Sequence, residues 1–549
     1  MAFTGRHGMV VSRHTHSSRI GADVLRRGGT AIDAAVATHF AINVVNPMSV
    51  GVGGGGSLVY YSASDETVYS IDFFPRAPGS VTPELFVDDD GEPVDEEVRL
   101  DSGAAVAVPG AVKGLVAAHN RFGRLPWRRL LTPAIDLARN GVVVDIHLAE
   151  AIADNWDRFN PAARAVFSKN GMPLSPGELL VQPELAETFE RISEHQAAGF
   201  HEGEVAEAIA TTVQDHGGAL KPADLSGYPV RHNEPLCSEY GDFELYNPRL
   251  AITGGFLVPR ILKTIERFDL SDQYGPESWQ KYHLFAEATA LAWADRAEYL
   301  GDPEFVDPPL AALLDPEFIE SRAQAISLDD TLADYKNGDC VSPGSLDATH
   351  RRSTTDVSDR PGDEATTHFV AGDAAGNVVA VTSSINKGMG SGIMVPEYGV
   401  MLNNYMSLFD AEPGGPNQVA GGKRPLSSTS PTIVMTDSEP YFTAGSPGGV
   451  TIPQTTAQVI LNVVEYDMSI DAAVAAPRIT TDHCGPIEWE AAVPATVREQ
   501  LGGLGHRWDT DPDEIGSANN LLIKDDRYYG GPDPRRDCVA VGVNEWDRL

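Results

Sequence analysis

The stretch Asp363-Glu364-Ala365-Thr366-Thr367-His368-Phe369 marks the sharpest change of character in the chain. Residues 330–363, just before Thr366, are polar and carry almost no apolar period. They include Asn337-Gly338-Asp339, Pro343-Gly344, Arg351-Arg352 and Pro361-Gly362, the composition of an exposed connector. Immediately afterwards the apolar residues fall into period two. Phe369-Val370-Ala371 and Val378-Val379-Ala380-Val381-Thr382 read as successive strands, and Asp373-Ala374-Ala375-Gly376-Asn377 turns between them. A threonine hydroxyl is a weak nucleophile unless a base stands beside it. Cleavage before Thr366 would supply one, because a freed α-amine titrates at about 7.7–8.0 and much of it is neutral at working pH. Thr366, at the start of a strand and after a connector that can leave, has the context this chemistry needs.

Working outward toward the N-terminus, the pattern alternates. Met9 to Val11 reads as a strand and Ser17 to Arg27 as a helix stopped by Gly28-Gly29. Thr30 caps a second helix, with Asp33 three residues on as in a capping box. Its face of Ala31, Ala34, Ala35 and Ala37 can approach a sheet closely, and Pro47 ends it. Gly51 to Gly56 matches GxGxxG, but the strand Ser57-Leu58-Val59-Tyr60-Tyr61 follows where a dinucleotide site needs a helix. The glycines therefore read as a tight crossing of backbones inside a sheet. Residues 105–330 are mainly helical.

Toward the C-terminus, Gly445-Ser446-Pro447-Gly448-Gly449 follows the strand Tyr441-Phe442-Thr443-Ala444. Glycines at a strand end let successive N–H groups converge on one point, the geometry of an oxyanion hole. Pro425-Leu426-Ser427-Ser428-Thr429-Ser430-Pro431 is a hydroxyl cluster suited to a carboxylate.

Composition narrows the partners. The net charge of −37 argues against nucleic acid, whose phosphates need a basic surface. Only nine of the 41 basic residues are lysines, and this acidic, lysine-poor balance suggests adaptation to high salt. No window of apolar residues is long enough for a membrane span. The start lacks the pattern of a signal peptide, which leads to the expectation of a cytoplasmic protein. Cys237, Cys340, Cys484 and Cys538 lie far apart with no CxxC pair, so neither a disulfide framework nor a metal site is expected. No cofactor is expected either.

Taken together, the segments resemble the γ-glutamyltransferase family of N-terminal-nucleophile hydrolases. The likeness includes Leu25-Arg26-Arg27-Gly28-Gly29-Thr30-Ala31-Ile32-Asp33, Gly53 to Gly56, Val108-Pro109-Gly110 and Leu125-Pro126-Trp127. Asp295-Arg296 with Gly301-Asp302-Pro303, Ala476-Pro477-Arg478 and Asp533-Pro534-Arg535 continue it in order along nearly the whole chain. The resemblance implies an α/β (α+β) fold, a four-layer αββα sandwich. It implies self-cleavage between Ala365 and Thr366 into a large subunit, 1–365, and a small one, 366–549, which stay intertwined as a heterodimer. By position it makes Thr366 the nucleophile, oriented by Ser384, with the N–H groups of Gly448 and Gly449 as the oxyanion hole. Asn386, Ser427 and Ser428 fall where the family holds the glutamyl head group. The implied substrates are a γ-glutamyl amide donor and a water, amine or amino-acid acceptor.

Three positions depart from that pattern. Phe74 stands where the family has a carboxylate-binding arginine, leaving Arg76 as a candidate two residues on. Tyr405 and Leu408 replace the polar groups that hold the α-amine. These departures favour, as the alternative, an acylase for a glutaryl- or oxamate-like monoamide. The loop from Asp410 to Lys423 looks short for a lid, which suggests an open site.

Overall fold

Residues 3–337, 339–344 and 365–545 are described by the computed structural model. Strand Thr366–Asp373 lies inside a seven-stranded sheet between Gly8–Ser12 and Val378–Ser384. The order across that sheet is Val539–Val543, Gly8–Ser12, Thr366–Asp373, Val378–Ser384, Gly55–Ser62, Thr67–Phe73 and Arg231–Asn233, every pairing antiparallel. Segments from both sides of residue 366 are therefore interleaved in one sheet, and neither can form it alone.

The two-residue period sorts the strands onto two faces. Val370, Val378 and Ala380 point to one side, where Met9, Val11 and Val59 join them against Ile433, Met435 and Leu521 of a second seven-stranded sheet. Phe369, Ala371, Val379 and Val381 point to the other side, into a core shared with helices Thr15–Arg26 and Ala31–Val45. The outer face of the second sheet, through Val434, Phe442 and Leu522, packs on helices Gly254–Ile265, Trp279–Tyr299 and Ile452–Val464. The layers run helix, sheet, sheet, helix, as expected.

Local details follow the sequence. Thr30 and Asp33 form the reciprocal capping box at the start of Ala31–Val45. The GxGxxG run is a backbone crossing: a Cβ on Gly54 would stand 2.1 Å from the Ser384 carbonyl oxygen, and one on Gly56 would stand 2.2 Å from that of Thr382. Among the described residues no helix is long and apolar enough to cross a membrane.

The cysteine expectation is overturned. Cys340 and Cys484 form a disulfide across 144 residues of sequence. Spacing hid the pair because the ends meet only in the folded chain, where Val341 N–H donates to the His483 carbonyl at 2.5 Å. Disulfides persist mainly in oxidising compartments, so this bond removes one of the supports for a cytoplasmic location.

Candidate active site

Thr366 opens its strand opposite Ser384, the last residue of Val378–Ser384, in a register set by the antiparallel ladder. Its Oγ1 donates to Ser384 Oγ at 3.0 Å, and Ser384 Oγ donates in turn to the Ala365 carbonyl. Asn386 N–H donates to Ser384 Oγ at 2.8 Å and holds that hydroxyl in place. Thr366 and Ala365 are both buried. His368, two residues on, is neutral: burial pushes its pKa down to about 3, and its Nδ1 lies 2.8 Å from Thr382 Oγ1. It does not line the cleft that Thr366 faces.

The glycine turn arrives from strand Glu439–Ala444 and leads through a short 3₁₀ turn into helix Ile452–Val464. Gly448 and Gly449 have φ of 127° and 57°, which side chains rarely adopt, and a Cβ on Gly448 would meet Thr451 Oγ1 at 2.3 Å. Among the described residues neither N–H donates to a backbone carbonyl. Two free N–H groups just ahead of a helix N-terminus favour a developing negative charge. Gly449 lines the cleft; Gly448, the residue before it, is not among the lining residues.

The remaining walls come from distant segments. Ser427 and Ser428 line one side; Ser428 Oγ donates to the Gly449 carbonyl at 2.5 Å and so ties the hydroxyl cluster to the glycine turn. Asn386 also lines the cleft, with φ of 80°. Its Nδ2 is engaged by Asn404 and by Ser407 Oγ, which leaves Oδ1 to accept from a ligand. Phe74 and Tyr405 form an edge-to-face pair with centroids 4.6 Å apart, and Leu408 extends this apolar wall. Burial raises the pKa of Tyr405, so it stays a neutral phenol.

Arg76 is the exception among the substrate-binding candidates read from the sequence. It is absent from the cleft lining. Its backbone bridges to Val108, and its Nη2 donates to the Gly227 carbonyl at 3.0 Å. Sequence reasoning also missed lining residues: Trp293 and Arg296 on helix Trp279–Tyr299, Lys387, and Asp482 with His483 beside the disulfide. The available signal was a lone arginine at the end of a helix otherwise destined for the core.

With this arrangement in view, likeness to known proteins becomes decisive. The family model described as gamma-glutamyltranspeptidase matches residues 17–543. This chain belongs to that family. The glutathione hydrolase proenzyme of Bacillus subtilis (strain 168) is 42% identical over 98% of this chain and 92% of its own length. The acylase ACY 1 proenzyme of Pseudomonas sp. (strain SE83) is 34% identical over 98% of this chain and 94% of its own. The crystal structure of cephalosporin acylase from Bacillus halodurans superposes with a TM-score of 0.87, covering 99% of this chain and 97% of that one; at 24% identity it speaks to the fold alone. Relatives at similar coverage thus carry two different names, glutathione hydrolase and acylase, which directs attention to the walls of the cleft.

Proposed function

We propose that this protein is a self-processing γ-glutamyl amide hydrolase and transferase with Thr366 as its nucleophile. The observation that carries this reading is the hydrogen-bond run from Thr366 Oγ1 through Ser384 Oγ to the Ala365 carbonyl, in a member of this family. In maturation, Thr366 Oγ1 attacks the Ala365 carbonyl carbon, and Ser384 donates to the oxygen as negative charge grows there. The C–N bond breaks and an ester forms. Water then hydrolyses that ester, leaving a carboxylate on Ala365 and a free amine on Thr366.

In turnover the same hydroxyl attacks the donor's amide carbon and the α-amine takes its proton. The N–H groups of Gly448 and Gly449 hold the oxyanion, the amine product leaves, and an acyl-enzyme ester remains. Water completes hydrolysis; an amine or amino acid completes transfer. Asn386 Oδ1 accepts from the donor's α-amine, and Ser427 and Ser428 face its carboxylate. Residues 1–365 and 366–549 remain one interleaved heterodimer. A second reading, an acylase for a glutaryl- or oxamate-like monoamide, is favoured by the Phe74–Tyr405 pair, which offers a zwitterionic head group little polar compensation.

The test is direct. A reducing gel of purified protein should show pieces of roughly 40 and 20 kDa, at about 110 Da per residue. Edman sequencing of the smaller should read Thr-Thr-His-Phe, and γ-glutamyl anilide should be cleaved. A different N-terminus would move the nucleophile and overturn the mechanism.

A further inference from the structure

Among the described residues, one cation of the cleft lining has no carboxylate at ion-pairing distance, and Asp410 acts on it only from farther away. Arg296 sits one turn after Trp293 on helix Trp279–Tyr299, and its guanidinium covers the Trp293 ring at 4.8 Å. Both residues line the same cleft as Thr366. Arg296 Nε donates to Thr253 Oγ1 at 3.1 Å. Thr253 Oγ1 donates onward to the Ser427 carbonyl at 2.8 Å, and Thr253 N–H donates to that carbonyl at 2.6 Å. This chain fastens the guanidinium to the backbone of the serine pair. It occupies Nε alone and leaves the terminal nitrogens, with their four N–H bonds, to a ligand.

Several other arginines of the interior are paired with carboxylates, although Arg13, also buried, is bonded to Ser49 Oγ. Arg260 and Arg322 share Asp295, the residue just before Arg296. Arg424 lies against Asp72, Arg478 against Asp533 and Arg535 against Glu490. Among the described residues no carboxylate comes within ion-pairing distance of Arg296. Burial pulls its pKa down to about 10, with Asp410 opposing, so it stays cationic at neutral pH. The other charged groups of the lining are Lys387 and Asp482, and Asp482 already accepts from the N–H groups of Cys484 and Gly485. A desolvated guanidinium is costly unless an anion meets it, and its planar fork fits a carboxylate two bonds at a time.

We propose that Arg296 is the carboxylate anchor of the acyl subsite, so that the cleft selects amides whose acyl group carries a free carboxylate, held between Arg296 and Ser427–Ser428. This rests on the reading that Thr366 attacks an amide in this cleft. It deepens that reading by naming a feature shared by γ-glutamyl and glutaryl donors and absent from simple acyl donors. It also accounts for how a cleft with Phe74 in its wall, and Arg76 outside its lining, still binds an anionic head group.

Three p-nitroanilides separate the possibilities: γ-glutamyl, glutaryl and valeryl, the last matching glutaryl in length without its carboxylate. Wild type should favour glutaryl over valeryl by at least about thirtyfold in kcat/KM, the scale of one arginine–carboxylate pair. Arg296→Gln should erase most of that ratio by raising KM for the two carboxylate donors, with valeryl hydrolysis little changed. Arg296→Lys keeps the charge and loses the fork, and should restore part of the ratio. An unchanged ratio in Arg296→Gln would overturn the proposal, as would equal loss on all three donors, which marks a structural role. If Arg296→Gln fails to mature, Arg296→Lys carries the test: KM should rise for the two carboxylate donors and not for valeryl, and an unchanged KM for glutaryl overturns the assignment. Wild type that neither self-cleaves nor hydrolyses any of the anilides would instead sink the functional reading. Wild type that matures and prefers carboxylate donors regardless of residue 296 sinks only the role of Arg296.

Discussion

The two ends of the cleft are built in different ways. At the end proposed for the nucleophile, Thr366 faces Ser384 because their strands are in register, and the proposed oxyanion donors are backbone N–H groups of two glycines. At the head-group end, Phe74, Leu408, Tyr405 and Arg296 are side chains brought from three separate segments. The first arrangement is hard to alter without losing the sheet. The second can be rewritten one side chain at a time, since replacing a wall residue disturbs no ladder. The difference teaches that chemistry and specificity are separable here, and that knowledge of one does not carry over to the other.

The contrast can be broken most sharply at Thr366. Thr366→Ala should remain a single full-length chain on a reducing gel and lose activity by at least about 10⁴-fold, as nucleophile deletions do. Residual cleavage at the same bond would place the attacking hydroxyl elsewhere. The glycine turn comes next. Valine at 448 or 449 should lower kcat by about a hundredfold with KM little changed, the scale of one oxyanion donor. A larger change in KM than in kcat would assign the turn to the head-group end.

The identity of the base is tested by pH. If the Thr366 amine serves, kcat/KM should fall about tenfold per pH unit below an apparent pKa of about 7.7–8.0. His368 is held neutral by burial, with its pKa near 3, so it gives no limb in that range. A limb near the ordinary histidine value, about 6.5, would contradict the assignment.

The head-group end should respond more gently. Leu408→Asp places a carboxylate in the apolar wall and should raise the γ-glutamyl to glutaryl ratio of kcat/KM by about tenfold, the worth of one charge-assisted hydrogen bond. No change in the ratio would mean that residue 408 does not face the donor's amine. The smallest kinetic effect is expected at the disulfide. Cys340 precedes the proposed cleavage point and Cys484 follows it, so a non-reducing gel of matured protein should keep one band that splits on reduction. Turnover should change little, because neither cysteine lines the cleft. Two bands without reductant would show the bond absent in solution.

Much of this molecule was legible in its sequence. The period-two strands after Thr366, the capping box of Thr30 and Asp33, and the glycine turn after Ala444 are local patterns, and local patterns survive in one dimension because strand and helix periods are set by the backbone. The likeness carried by segments spread along the chain pointed to the family and to the αββα layers. Tertiary structure alone decided the rest. Arg76 looked able to reach the head group, but only the fold shows its guanidinium on the Gly227 carbonyl and outside the cleft lining. Arg296 is one charge on a long helix until the fold lays it against Thr253 and the cleft. Cys340 and Cys484 meet only when the chain closes on itself. Each depends on which distant surfaces meet, which chain order does not state, and on burial, which turns an ordinary cation into one that calls for a partner.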